Sequence, residues 1–250
     1  MTALLEVANL SKRFGGLQAV NSLSFAVNRG EILGLIGPNG AGKSTVFNLI
    51  NGVHRPDAGR VRFNGHDITG KRPYEIASLG LARAHQIVQP LPNLTVLENC
   101  TVGACFGRRK LPLTEARDAA REAAGIAGLG DRLGSPAGAL TTASKKRLEL
   151  ARALAAQPLL LLLDEVLAGL NPAEVGRMIE TVHAIRERGV AILMIEHVMR
   201  AIMSLSDRII VLNLGRKLAE GTPKEVANNP EVITAYLGDS NLMAEAEKRA

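Results

Sequence analysis

Residues 31–50 read EILGLIGPNGAGKSTVFNLI, and the whole chain is interpreted from this stretch. Ile32 to Ile36 form an apolar run of strand length. It leads into Gly37-Pro38-Asn39-Gly40-Ala41-Gly42-Lys43-Ser44-Thr45, where a helical period begins. This is the phosphate-loop pattern in the context it requires: strand, glycine-rich loop, helix. Glycines let backbone N–H groups converge on phosphate oxygens with no Cβ in the way. Lys43 supplies a point charge between the last two phosphates, and Ser44 supplies a hydroxyl for Mg2+. A dinucleotide fold is disfavoured, because there is no GxGxxG and Lys-Ser is the wrong pair for it.

A phosphate loop needs an acid for the metal. LLLLLDE at 159–165 places Asp164 at the end of a second apolar run, with Glu165 beside it. In open parallel sheets ligands collect at the carboxyl ends of strands. Asp164 is therefore expected beside Ser44, and Glu165 is expected to polarise a water in line with the last phosphate. ILMIEHV at 192–198 ends a third such run with His197. On the same rim as Lys43 and Asp164, His197 is placed to bond the terminal phosphate. The plain alternatives are a strand-terminating acid pair and a structural histidine. The phosphate loop upstream favours the chemical reading of both.

Outward from these runs the chain reads as α/β. NPAEVGRMIETVHAIRERG at 171–189 starts a helix with Pro and stops it with Gly, which completes a strand–helix–strand unit. The apolar runs on either side suit parallel strands covered on both faces. In the first 65 residues LLEVANL, SLSFAV, EILGLIG and GRVRFNG read as strands, the second and third joined through NRG at 28–30. Residues 87–157 turn rich in Ala, Arg and Glu, with helical periods at 114–128 and 141–156. DRIIVLNLGRKLAEG at 207–221 reads as a hairpin, and DSNLMAEAEKRA at 239–250 as a polar tail that frays.

At 250 residues, 46% hydrophobic and with 25 glycines, the chain fits one large or two small globular domains. No apolar stretch reaches the roughly 18 residues that span a bilayer, and the amino terminus lacks a secretion signal. A cytoplasmic location is expected. Cys100 and Cys105 match no zinc or redox spacing, so free thiols are expected. A net charge of +6 suits polyanionic ligands. The cations are dispersed and aromatics are only 3% of residues, which argues against base-stacking platforms and nucleic acid. GRRKLP at 107–112, the densest basic cluster, reads as a solvated loop.

LTTASKKRLELARAL at 140–154 is entered through hydroxyls and continues as a helix. Leu148, Ala151, Leu154 and Ala155 share a face that can be buried. Lys145, Glu149 and Arg152 make a polar stripe containing an i,i+4 pair. The segment suits an anion seat or an ordinary capped helix.

Taken in order, these pieces resemble the nucleotide-binding subunit of ABC transporters over nearly the whole chain. The resemblance implies a P-loop NTPase core with a mostly parallel sheet, an N-terminal antiparallel β subdomain and an inserted α-helical subdomain. It divides the chain into a core at 1–86 and 158–238 and a helical signature arm at 87–157. In register with the family, Phe14 in SKRFGG looks like the adenine platform, and Gln86 in LARAHQ like the glutamine that senses Mg2+ and the transporter. AGLNP matches the dimer loop and His197 the switch histidine. ATP and Mg2+ are implied as ligands. A second ATPase subunit, transmembrane permeases and, indirectly, a solute-binding protein are implied as partners at the cytoplasmic face of the plasma membrane. LARAHQIVQPLPNLTVLENC, AGLNPAE and GTPKEVANNPEVITAYLG look like subunits that energise uptake of branched-chain amino acids; importers of amides or urea read nearly the same. Soluble ABC ATPases of DNA repair or translation carry insertions or duplications absent here.

The family packs two ATPase subunits head to tail, with each ATP between one phosphate loop and the other subunit's signature helix. Thr141, Ala143 and Ser144 occupy that helix start, and here the sequence departs from the pattern. The subfamily reads Leu-Ser-Tyr-Gly-Gln where this chain has Leu-Thr-Thr-Ala-Ser. Thr141 keeps a hydroxyl, Ala143 replaces a glycine, and Ser144 is too short for the glutamine's work. Val166 stands in place of the usual proline, and Val198 in place of an acidic residue. A slowed site on the partner's nucleotide is expected from the altered signature.

Overall fold

The computed structural model describes residues 3–237; the polar tail expected at 239–250 lies outside the described residues. Along the chain come β1 (Leu5–Phe14), β2 (Leu17–Val27), β3 (Ile32–Ile36), α1 (Lys43–Ile50), β4 (Ala58–Phe63), β5 (His66–Asp67), α2 (Pro73–Ser78) and β6 (Leu81–Ala84). Then follow α3 (Val96–Phe106), α4 (Leu113–Ile126) and α5 (Thr142–Ala155). The remainder holds β7 (Leu160–Asp164), α6 (Pro172–Glu187), β8 (Ala191–Ile195), α7 (Met199–Leu205), β9 (Arg208–Asn213), β10 (Arg216–Gly221), α8 (Pro223–Ala227) and α9 (Pro230–Leu237).

Two sheets divide the strands. The antiparallel sheet runs β2-β1-β4-β5, and the larger one runs β10-β9-β3-β8-β7-β6. In the larger sheet every pairing from β9 through β6 is parallel, and β10 alone is antiparallel to its neighbour. NRG at 28–30 therefore carries the chain from one sheet to the other. β3, β7 and β8 are buried along their whole length, as continuous apolar runs require when both faces are covered. Alternate side chains point to opposite faces. Leu33, Leu35, Leu160, Leu162, Leu193 and Ile195 pack with α1 and the antiparallel sheet. Ile32, Ile36, Leu161, Leu163, Ile192 and Met194 pack with α4, α5, α6 and α7.

Register brings the strand tips to one edge. Ala84 is level with Leu163, Leu163 with Met194, and Met194 with Gly34. The segments after β3, β6, β7 and β8 thus leave the sheet side by side. The hairpin expected at 207–221 is β9–β10, turning through Leu214 (φ 47°) and Gly215 (φ 75°).

The helical periods at 114–128 and 141–156 correspond to α4 and α5. α3 is a third helix in 87–157 beyond the two helical periods; its Val, Thr and Cys residues blur the period, although a capping box joins Thr95 and Glu98 at its start. The polar stripe on α5 is corrected: Glu149 is buried and pairs with Arg152 at 2.5 Å rather than with Lys145. Cys100 and Cys105 are free, and burial pushes the Cys100 thiol up to about 12. Among the described residues no helix is long and apolar enough to cross a membrane.

Candidate nucleotide site

The phosphate loop is shaped by what lies behind it. Gly37 approaches β9 so closely that a Cβ would stand 2.2 Å from the Leu212 carbonyl oxygen, and at Gly42 (φ 103°) a Cβ would stand 2.3 Å from that of Ala19. Only glycine fits either place. Ala41 turns back on Pro38 through its N–H, and its own carbonyl accepts from Gly215 N–H at 3.0 Å. The Lys43 ammonium, 7% exposed, donates to the carbonyls of Gly37 (2.8 Å) and Pro38 (3.1 Å). Burial lowers its pKa, and the nearby charges of Glu165 and Asp164 oppose that shift. The amine at the start of α1, the acid that ends β7 and the acid that follows it therefore share one electrostatic neighbourhood. Asn39, Gly40 and Ser44 are exposed, Pro38 and Thr45 half-buried. Ser44 stands in the first turn of α1, where backbone N–H groups have no intrahelical partner.

Asp164 ends β7 and is 5% exposed. Its Oδ2 pairs with Arg83 Nη2 of the adjoining β6 at 2.5 Å. Arg83 Nη1 also donates to Asn48 of α1 at 2.7 Å, and the guanidinium lies 5.7 Å from the centroid of the Phe47 ring. Arg83 has no motif to announce it in the sequence, yet a cation within the short strand LARA calls for a buried partner. Beside this pair, Arg83, His85, Gln86, Glu149, Arg152 and Asp164 help line a recess of about 390 Å³. Burial, reinforced by Arg83, lowers the His85 pKa.

Glu165 occupies the left-handed region (φ 49°), an uncommon place for a residue with a side chain. Its N–H donates to the Ile195 carbonyl at 2.9 Å. Its Oε1 meets His197 Nε2 at 2.8 Å, and its Oε2 accepts from Gln86 Nε2. The segments after β6, β7 and β8 thus bring Gln86, Glu165 and His197 into direct contact. Phe14 stands apart at the end of β1, 42% exposed, with His54 edge-on at 5.2 Å and the Lys12 ammonium 5.5 Å from the ring centroid.

At the other candidate surface, Thr141 caps α5 by accepting from Ser144 N–H at 3.3 Å, and the two hydroxyls bond each other at 3.1 Å. Thr141 is exposed and Ala143 half-buried. Leu148, Ala151, Leu154 and Ala155 are buried. A residue with little signal in the sequence is Tyr236 of α9. Burial raises the pKa of its hydroxyl, and the backbone of Gly37 opposes that shift.

Among the described residues no three His, Cys, Asp or Glu side chains cluster as a metal site. Mg2+ needs no such cage: it takes one or two protein oxygens and completes its shell with phosphate and water. The Ser44 hydroxyl and Asp164 carboxylate are hard oxygen donors of the right type.

A family model described as ABC transporter matches residues 20–168, and another described as branched-chain amino acid ATP-binding cassette transporter matches residues 216–240. The high-affinity branched-chain amino acid transport ATP-binding protein LivG of Salmonella typhimurium is 41% identical over 251 residues, spanning 95% of this chain and 98% of that protein. The similarly named BraF of Pseudomonas aeruginosa is 39% identical over 253 residues, spanning 95% and 98%. Among solved structures, the ADP conformation of an ATP-binding cassette of an ABC transporter is similar with a TM-score of 0.86. It is 33% identical, covering 95% of this chain and 100% of that one.

Proposed function

The chain belongs to the ABC transporter family, as an ATP-binding cassette of the ATPase class, and from that premise we propose that it powers an importer of branched-chain amino acids. The observation that carries the ATPase reading is the meeting of Gln86, Glu165 and His197 in the electrostatic neighbourhood of Lys43. The amino-acid reading is supported by the match over 216–240 and by what LivG and BraF are named for.

In this reading Lys43 gives the terminal phosphates a fixed, partly desolvated positive charge, and the first-turn amides of α1 add donors. Glu165 takes a proton from the attacking water. Each of its carboxylate oxygens accepts one hydrogen bond, from His197 and from Gln86, which aims the carboxylate and leaves lone pairs free for the water. The His197 imidazole is the neighbour that can also bond the terminal phosphate. Ser44 and Asp164, with Gln86 as a further oxygen donor, are the residues that would hold Mg2+, which would supply neutralisation of charge on the phosphates. Phe14 serves as the platform for the base. Residues 1–86 and 158–238 act as the nucleotide-binding core and 87–157 as the arm that carries the signature helix.

Two such subunits, identical or different, close head to tail on two nucleotides, bound to permeases at the cytoplasmic face of the plasma membrane and served by a solute-binding protein. A second reading, a weakly hydrolysing regulatory subunit, is favoured by one observation: the Ser144 hydroxyl is turned onto Thr141. Co-reconstitution with candidate permease subunits, and measurement of ATP-driven uptake of labelled leucine against labelled urea, tests the proposal. Leucine uptake that vanishes with Lys43→Ala is expected; urea uptake alone would reassign the substrate.

A further inference from the structure

Two charges lie buried beneath the turn that carries Glu165, and neither has a place in the mechanism above. Lys146, in the second turn of α5, is 7% exposed, and its ammonium donates to the Glu165 carbonyl at 3.2 Å. Glu196, between the end of β8 and His197, is 3% exposed, and its Oε1 accepts from Leu167 N–H at 2.9 Å. Burying either charge is costly unless it is paired and hydrogen-bonded. The two groups do not touch, but each feels the other's field: burial lowers the Lys146 pKa, while Glu196 and Glu165 hold it up. Burial pushes Glu196 up to about 7, opposed by the Leu167 N–H and by Lys146.

These contacts converge on one short piece of backbone. The Glu165 N–H goes to Ile195, and its carbonyl accepts from both Ala168 N–H and Lys146, while Leu167 is tied to Glu196. The turn they restrain holds Glu165 at φ 49°, a conformation that persists only when the surroundings over-determine it. The direction of the Glu165 carboxylate toward His197 and Gln86 follows from that backbone. We infer that Lys146 and Glu196 are positioning residues for hydrolysis, two buried ionisable side chains that tie the Glu165 turn to the helix bearing the signature on one side and to the end of β8 on the other. The inference rests on the ATPase reading. It adds that α5, whose start is offered to a partner's nucleotide, also holds the general base of its own chain through a residue five positions further on.

The test uses the full chain assembled with its partner subunits. Lys146→Met alone removes the cation whose field Glu196 feels, so Lys146→Met/Glu196→Gln is made beside it to keep the site neutral, together with Lys146→Arg. A tenfold or larger loss of kcat is expected in the neutral double variant, with KM for Mg-ATP within about twofold, because a positioning defect falls on the chemical step rather than on ground-state binding. Lys146→Arg is expected to recover kcat to within about threefold. Amide exchange at 165–168 is expected to quicken about tenfold in the double variant and to return toward the wild-type rate in Lys146→Arg. Wild-type kcat in the double variant, unchanged exchange, or loss of nucleotide affinity in step with kcat would each overturn the assignment. A wild-type assembly that hydrolyses no ATP defeats the ATPase reading instead, while the exchange rates still judge the restraint of the turn.

Discussion

At the tips of β6, β7 and β8 the side chains proposed for catalysis are held by residues from other elements. Arg83 holds Asp164, and Gln86 and His197 hold Glu165. At the start of α5 the arrangement is local: Thr141 and Ser144 satisfy each other within one helical turn, on a surface open to solvent. The first region has its geometry in a single chain, because every one of these partners belongs to the same folded unit. The second has only a capped helix, and its worth depends on what a second subunit brings to it. A motif on buried strands therefore says more about chemistry than one on an exposed helix start, where a changed side chain alters the cap as well as the contact.

The sharpest way to break this contrast is Glu165→Gln. Loss of the general base is expected to lower kcat by about 10²–10⁴-fold while ATP binding persists; full turnover would remove the tips from the chemistry. Next comes Arg83→Met, which leaves the Asp164 carboxylate buried without its partner. It is expected to destabilise the fold by about 3–5 kcal/mol in urea unfolding, and a loss below ~1 kcal/mol would show that the pair is solvated in practice.

A third probe is pH. Burial raises the Glu196 pKa from 4.5 to about 7, so between those values the folded chain holds a proton that the unfolded chain has released. This carboxyl favours folding most below pH 4.5, and the contribution fades as pH rises through 7, by roughly 3 kcal/mol if the whole shift is felt. Urea midpoints at pH 5, 6 and 7.5 are expected to fall more steeply in wild type than in Glu196→Gln; equal slopes would discard the buried titration. At the exposed half the effect is smaller. Replacing residues 141–144 by Ser-Tyr-Gly-Gln is expected to raise ATPase rate by one to two decades, the equivalent of a hydrogen bond to a charged group, about 1.5–3 kcal/mol. No increase would mean that the hydroxyl pair already suffices. Tyr236→Phe sits last, with an expected cost of about 0.5–1.5 kcal/mol in stability and a weaker hold on nucleotide.

The same contrast explains what could be read before the structure. β3, β7 and β8 were legible because a run such as LLLLLD admits few other fates, and the loop after β3 because its spacing requires glycine at Gly37 and Gly42. The partners of buried charges were not legible. Arg83 reaches Asp164 across 81 positions of sequence and Glu196 reaches Leu167 across 29, and no local period records such distances. Glu149 was misread for the same reason, since helical spacing alone cannot tell a solvated stripe from one turned inward. α3 was lost because its residues are poor helix formers, although Thr95 and Glu98 announced its start.

β3 has a consequence for how the molecule comes into being. Its neighbours in the sheet are β8 and β9, and the loop it carries is closed from behind by Leu212 and Gly215. On a ribosome adding roughly 5–20 residues each second, the apolar strand ILGLI emerges long before residue 191 exists to pair with it. The antiparallel sheet of β1, β2 and β4 has no such delay, since its strands lie within residues 5–63. A nascent chain of this kind holds a finished N-terminal sheet beside an orphaned central strand for on the order of ten seconds. In that interval the strand that will later carry the phosphate loop leaves its apolar side chains open to other contacts.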